Sequence, residues 1–188
     1  VTTGTTTTSG TPSSSGSALP DVMTGRVAWI FGDDFDIDLM IGVANIKYTD
    51  PEKLHAVCMK AYEEDFTDHV RAGDWLVGGR NFGYGHPHYV AMTAMRNEGI
   101  VGVLAESFSP GFWRGEISNG MPLLSVPGIS TAVERWDDLE VDWRAATVRV
   151  PGKDLVLQGE VLNERYLTML AAGGRYQLLL EEHRQRTR

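Results

Sequence analysis

The chain has 188 residues, an ordinary apolar fraction of 42% and a formal net charge of −8. That length suits one domain with a tail, and the acidic balance argues against nucleic acid or an anionic membrane as a general partner. The only cysteine, Cys58, excludes an internal disulfide and cannot alone hold an iron–sulfur cluster or a structural zinc, so the chain reads as cytoplasmic and without a metal of its own.

Residues 1–19 are nearly all Thr, Ser and Gly. Such a segment buries too little apolar surface to offset its ordering entropy, so it is expected to be an arm that is disordered or held by a partner, followed by an ordered domain over residues 20–188. No apolar run approaches the roughly 18 residues of a membrane span, and the first residues lack the basic start and apolar stretch of a signal peptide.

Residues 26–31 are rich in β-formers and stop at Gly32, which predicts a strand. An acidic stretch follows, with Asp33, Asp34, Asp36 and Asp38, then the apolar run Leu39-Met40-Ile41. Residues 51–66 carry Pro51 early and Leu54, Val57, Cys58, Ala61 and Tyr62 at helical spacing, which predicts one helix. Residues 74–78 read as a short buried strand that runs into a Gly-rich loop. Pro87 is then expected to open a helix that Gly99 stops. Residues 100–105 predict a strand, 110–119 a helix capped by Gly120, and 122–126 a further strand. This alternation indicates a parallel α/β unit. Beyond it lie three short strands, 139–143, 146–150 and 155–158, with Pro151-Gly152-Lys153 as a turn. Asn163 caps a helix that Gly173-Gly174 breaks, and residues 176–182 fit strand and helix equally well.

The loop Asn81-Phe82-Gly83-Tyr84-Gly85-His86-Pro87-His88 carries the clearest chemistry. Glycines between a strand and a helix start let backbone approach a ligand, and free N–H groups at a helix N-terminus favour anions. Taken alone, such a turn is as readily structural.

Several separated motifs in one order extend that reading. Asn81-Phe82-Gly83-x-Gly85 resembles the loop of the small subunits of isopropylmalate dehydratase and of the swivel domains of aconitase and homoaconitase. Phe31-Gly32-Asp33-Asp34-Phe35-Asp36-Ile37-Asp38 is similar to that family's opening "FGDNVDTD". Ile41-Gly42-Val43-Ala44-Asn45-Ile46 and the run from Ser107-Phe108 to Asn119-Gly120-Met121-Pro122-Leu123 follow family segments as well. The resemblance spans residues 24–180. It implies the swivelling β/β/α domain of the aconitase family, an α/β fold. It also implies a hydro-lyase small subunit that adds or removes water on a small hydroxy-carboxylate. A large partner subunit would carry a four-iron–four-sulfur cluster, and this chain would bind none alone.

The resemblance also exposes a departure. The family continues Ser-Ser-Arg after the glycines, where the first Ser is the base and the Arg binds a carboxylate. This chain has His86, Pro87 and His88 there. One reading makes His86 a replacement base, with an unperturbed pKa of about 6.5, and His88 a carboxylate contact weaker than Arg. The other makes both ordinary loop residues of a non-catalytic, regulatory subunit. A stand-alone hydratase using His86 is a third. A metal bridged by the two imidazoles lacks a nearby third ligand. Asn81, Gly83, Tyr84 and Gly85 are the loop's candidate substrate contacts. Lys47 and Tyr48 follow the position of the family's substrate-selecting loop. Asp36 and Asp38 are expected to hold the catalytic loop rather than react.

Overall fold

The computed structural model describes residues 19–187, so the expectation for the N-terminal arm lies outside the described residues. In chain order the elements are β1 (Val22–Ile30), α1 (Pro51–Val57), α2 (Phe66–His69), β2 (Trp75–Gly78), α3 (Tyr89–Asn97), β3 (Gly102–Ala105), α4 (Pro110–Ser118), β4 (Leu123–Ser125), α5 (Ile129–Ala132), β5 (Asp138–Asp142), β6 (Thr147–Val150), β7 (Leu155–Gln158), α6 (Glu164–Ala171) and α7 (Arg175–Arg186). Short 3-10 turns occupy Ile37–Met40, Val43–Asn45 and Pro151–Lys153.

One seven-stranded sheet has the order β4-β3-β2-β1-β5-β6-β7. The half β4-β3-β2-β1 is parallel, and β1-β5-β6-β7 is antiparallel. Strand β1 therefore serves both halves. The burial patterns follow from this division. Strands β2 and β3 are buried at every position, as flanked parallel strands must be, whereas β5 alternates buried and exposed residues. The α/β unit and the β-rich section expected from the sequence are both present.

Two expectations need correction. The helix expected over residues 51–66 ends at Val57. Cys58 turns extended and Met59 takes φ +58, so that both bury completely and the Met59 N–H reaches the Met40 carbonyl at 2.6 Å. Burying two adjacent side chains here outweighs helical propensity. Pro87 does not open α3; His88 is the residue before the helix, held extended at φ −100, ψ 136. The undecided end is the helix α7, and α5 was not anticipated.

Helix α3 is anchored at its C-terminal end. Arg96 donates from Nη2 to Glu116 Oε2 of α4 at 3.2 Å and from Nη1 to the Asn119 carbonyl at 3.2 Å. The Glu116 side chain is 5% exposed, and burial pushes its carboxyl from 4.5 up to about 7, with Arg96 pulling the other way. The folded protein thus binds a proton here that the unfolded chain releases between those two values, so stability falls as pH rises through that window. Replacing Glu116 by Gln removes the titration. Relative to the parent, Glu116→Gln is expected to gain about 2–3 kcal/mol between pH 5 and pH 8. Urea unfolding at the two pH values measures it, and a difference that does not change with pH would contradict the assignment.

Candidate active site

Strands β1 and β2 run parallel, so the segments leaving them, residues 31–41 and 79–88, emerge at the same end of the sheet. The backbones lock first. Gly79 N–H donates to the Phe31 carbonyl at 3.0 Å, Asp34 N–H to Arg80 at 2.8 Å, and the N–H groups of Gly83 and Tyr84 both to Phe35, at 3.0 and 3.2 Å. Beneath them Phe31, Phe35, Phe82 and Phe112 form a chain of aromatic contacts with centroids 4.0, 5.8 and 5.5 Å apart.

The acidic stretch is then consumed residue by residue. Asp33 accepts from the Arg80 N–H at 2.7 Å and from its guanidinium at 2.7 and 2.9 Å, and this holds the carboxyl below its usual range. Asp34 Oδ1 accepts from Asn81 Nδ2 at 2.7 Å. Asp36 caps the turn Ile37–Met40 by accepting from the Asp38 N–H at 3.0 Å. Asp38, with a side chain only 7% exposed, accepts from the His88 N–H at 3.0 Å through Oδ1 and meets His88 Nδ1 at 2.6 Å through Oδ2. Arg80 is thus paired within the chain.

The glycines have distinct reasons. Gly83 sits at φ +81, and a Cβ there would lie 2.2 Å from Phe112. Its N–H and carbonyl are both used, the latter by Ser109 Oγ. Gly85 sits at φ +90, and a Cβ there would lie 3.3 Å from Asp36 Oδ2, a tight contact but a far milder one than at Gly83. The N–H groups of Gly85 and His86 donate to no group among the described residues. Tyr84, Gly85 and His86 are exposed, and His86 makes no hydrogen bond among the described residues; its ring lies 5.6 Å from that of His88, nearly perpendicular.

Of the sequence candidates, the fold brings together Asp36, Asp38, Asn81, Gly83, Tyr84, Gly85, His86 and His88. Lys47 is exposed beyond the turn Val43–Asn45, while Tyr48 is half-buried against the core with Lys53 over its ring. Ser107 and Ser109 were not singled out; Ser107 Oγ accepts the Asn81 N–H and Ser109 Oγ binds the Gly83 carbonyl. Their signal in the sequence is the Ser107-Phe108 motif, which contains the first and adjoins the second. Glu106, also unanticipated, caps α5 from the end of β3: burial raises its carboxyl, and the hydrogen bonds of Ser130 and Gly128 more than offset this and leave it lowered. His55 and His69 form exposed pairs with Glu98 and Asp65, as ordinary surface residues do.

Cys58 is fully buried, which pushes its thiol up to about 12, and among the described residues no three His, Cys, Asp or Glu side chains converge as metal ligands. Among the same residues no helix is long and apolar enough to cross a membrane.

The two loop glycines make graded predictions. Gly83→Ala is expected to cost about 2 kcal/mol or more, from backbone strain added to overpacking, and Gly85→Ala about 1 kcal/mol, chiefly from strain. Denaturant midpoints of the two variants give the comparison, and equal losses would contradict the geometry at Phe112.

No protein-family profile matches the chain. Individual proteins do. It is 37% identical over 156 residues to the isopropylmalate/citramalate isomerase small subunit of Methanocaldococcus jannaschii, covering 83% of this chain and 92% of that one. It is 36% identical over 164 residues to a 3-isopropylmalate dehydratase small subunit of Methanopyrus kandleri, covering 87% and 96%. The 2,3-dimethylmalate dehydratase small subunit of Eubacterium barkeri is 34% identical over 144 residues, covering 77% and 88%. The crystal structure of 3-isopropylmalate dehydratase from M. jannaschii superimposes with a TM-score of 0.79 at 30% identity, over 88% of this chain and 98% of that one. The chain therefore belongs to the small subunits of the isopropylmalate dehydratase family, aconitase-type hydro-lyases, and has their fold.

Proposed function

We propose that this chain joins a larger iron–sulfur subunit to dehydrate, and rehydrate, an alkyl-substituted malate. The observation that carries this is the loop of residues 79–88. It projects two unpaired N–H groups, of Gly85 and His86, and a His88 ring gripped by a buried carboxylate, all from one rigid sheet end. The relatives' names are those of enzymes of isopropylmalate, citramalate and dimethylmalate, which are 2-hydroxy dicarboxylates differing in their alkyl groups.

Each residue then has a task. The N–H groups of Gly85 and His86 receive a substrate carboxylate, as unpaired amides before a helix do. Asn81 and Gly83 shape the loop, and Tyr84 borders the substrate from its exposed position. Asp36 and Asp38 hold the loop against the turn. An imidazole of the loop moves the proton on the carbon next to a carboxylate. Lys47 meets the distal end of the substrate and Tyr48 lines its pocket.

A four-iron–four-sulfur cluster does not fit this chain, whose single thiol is buried and whose described residues gather no ligand set; the proposal assigns it to the large subunit. Bound there, it would supply Lewis acidity towards the leaving hydroxyl. A non-catalytic role is not favoured: the relatives are named as dehydratase subunits, and a regulatory surface gives no reason to bury Asp38 against His88.

Co-expression with the large subunit tests the reading. The complex is expected to show iron–sulfur absorbance and to form unsaturated acid from substituted malates, while this chain alone does neither. A complex inert towards every substituted malate, or activity of the isolated chain, would refute it. Within the active complex, Lys47→Ala is expected to raise KM about tenfold for acids with a distal carboxylate and to leave kcat nearly unchanged.

A further inference from the structure

We infer that His88, not His86, is the proton-transferring residue of this chain, and that Asp38 is the positioning residue that fixes its tautomer. The inference rests on the reading of the loop as part of a hydro-lyase site, and it deepens that reading by dividing the roles of the two histidines.

The division follows from hydrogen-bond accounting. A carboxylate only accepts. Asp38 Oδ1 is occupied by the His88 N–H, so Oδ2, at 2.6 Å from Nδ1, requires the ring proton to sit on Nδ1. In the neutral ring Nε2 is then left as an acceptor, and no group among the described residues bonds to it. The side chain is 41% exposed, so the ring is not sealed from solvent. Its backbone is fixed as well, by the Asp38 bond, by Pro87 before it and by α3 after it. The titratable groups packed around the ring are Asp38 from the turn Ile37–Met40 and His86 from its own loop, with Asp36 capping that turn. A buried carboxylate that orients and tautomerises an imidazole is the device by which hydrolytic triads position their base. His86 has none of this. It is exposed and unbonded, so using it as base requires ordering it anew in every turnover.

The step balances without a further reactant. His88 Nε2 takes the proton from the carbon beside a carboxylate, and the C–H electron pair becomes the C=C bond. The C–O bond of the neighbouring carbon breaks and hydroxide leaves towards the partner subunit. Hydration runs the same step backwards, with the imidazolium returning the proton.

Asp38→Asn isolates the positioning role. With Oδ1 still receiving the backbone N–H, the amide presents NH2 to Nδ1, which moves the ring proton to Nε2 and removes the base. In the complex with the large subunit, kcat is expected to fall about 10²–10⁴-fold with KM held within about threefold. His88→Gln is expected to lose at least as much kcat, whereas His86→Gln acts mainly on KM. Nitrogen-15 NMR of the histidine-labelled chain supplies a readout independent of turnover, and its parent arm does not depend on any variant's folding: His88 carries its proton on Nδ1 in the parent and on Nε2 in a folded Asp38→Asn. A parent His88 protonated on Nε2, or kcat lost in His86→Gln but kept in His88→Gln, overturns the inference while leaving the hydro-lyase reading intact. A parent complex inert on all substituted malates instead removes that wider reading, and the NMR result then decides the Asp38 geometry alone.

Discussion

The parallel pairing of β1 with β2 makes residues 31–41 and 79–88 leave the sheet at the same end, and nearly every feature of the site follows from that proximity. Two loops that share an exit must satisfy each other's backbone, because both cover an aromatic cluster that excludes water. They do so with four backbone bonds at the cost of left-handed conformations at Asp34, Asn81, Gly83 and Gly85. Strain of this kind persists only where surrounding contacts over-determine it. Here a shift of one residue in the β1–β2 register would break the backbone bonds and the carboxylate contacts together.

The carboxylates form a gradient from rim to interior. Asp33 and Arg80 are exposed, with side chains 43% and 77% accessible, so their pair adds little to stability, although its three hydrogen bonds define where the loop begins. Asp38 lies at the other end of the stretch and is sheltered. A buried carboxylate without donors is expensive, and His88 supplies both of the donors it has. The site's most specific contact is thus also the one whose loss leaves the most costly group behind. A histidine or another two-donor residue is needed opposite Asp38, whatever chemistry its outer nitrogen performs.

Much of the frame was legible from local pattern. Strands β1 to β4 announced themselves as short β-forming or apolar runs, and Asn163 marked the start of α6 by a cap that the fold uses. What was illegible depended on partners far along the chain. The helix stopped at Val57 because Met59 answers Met40, and α3 began after His88 rather than at Pro87 because Asp38 takes the His88 N–H. Helix α5 is four residues long and is stabilised by Glu106 from β3, a contact no window of sequence contains. The same limit applied to the site. Asp36 and Asp38 could be named as supports from the resemblance, but the assignment of Asp38 to His88, Asp34 to Asn81 and Asp33 to Arg80 required the fold, since each pair is separated by 47 to 50 residues.

The departure from Ser-Ser-Arg is intelligible on this frame as one coordinated change. A serine base depends on nearby N–H groups to lower its hydroxyl's pKa, so amides must be directed at it. An imidazole titrates near neutrality unaided and needs orientation instead. Pro87 limits backbone freedom immediately before His88, Asp38 holds the ring, and the N–H groups of Gly85 and His86 donate to no group among the described residues. On the proposed reading those amides bind a substrate carboxylate, which would compensate in part for an imidazole standing where the resemblance places an arginine clamp. An imidazole at position 88 without Pro87 before it and Asp38 beside it would have neither a constrained backbone nor a fixed tautomer. Asp38, Pro87 and His88 are therefore physically one unit at the N-terminal end of α3, while Arg96 and Glu116 anchor the other end.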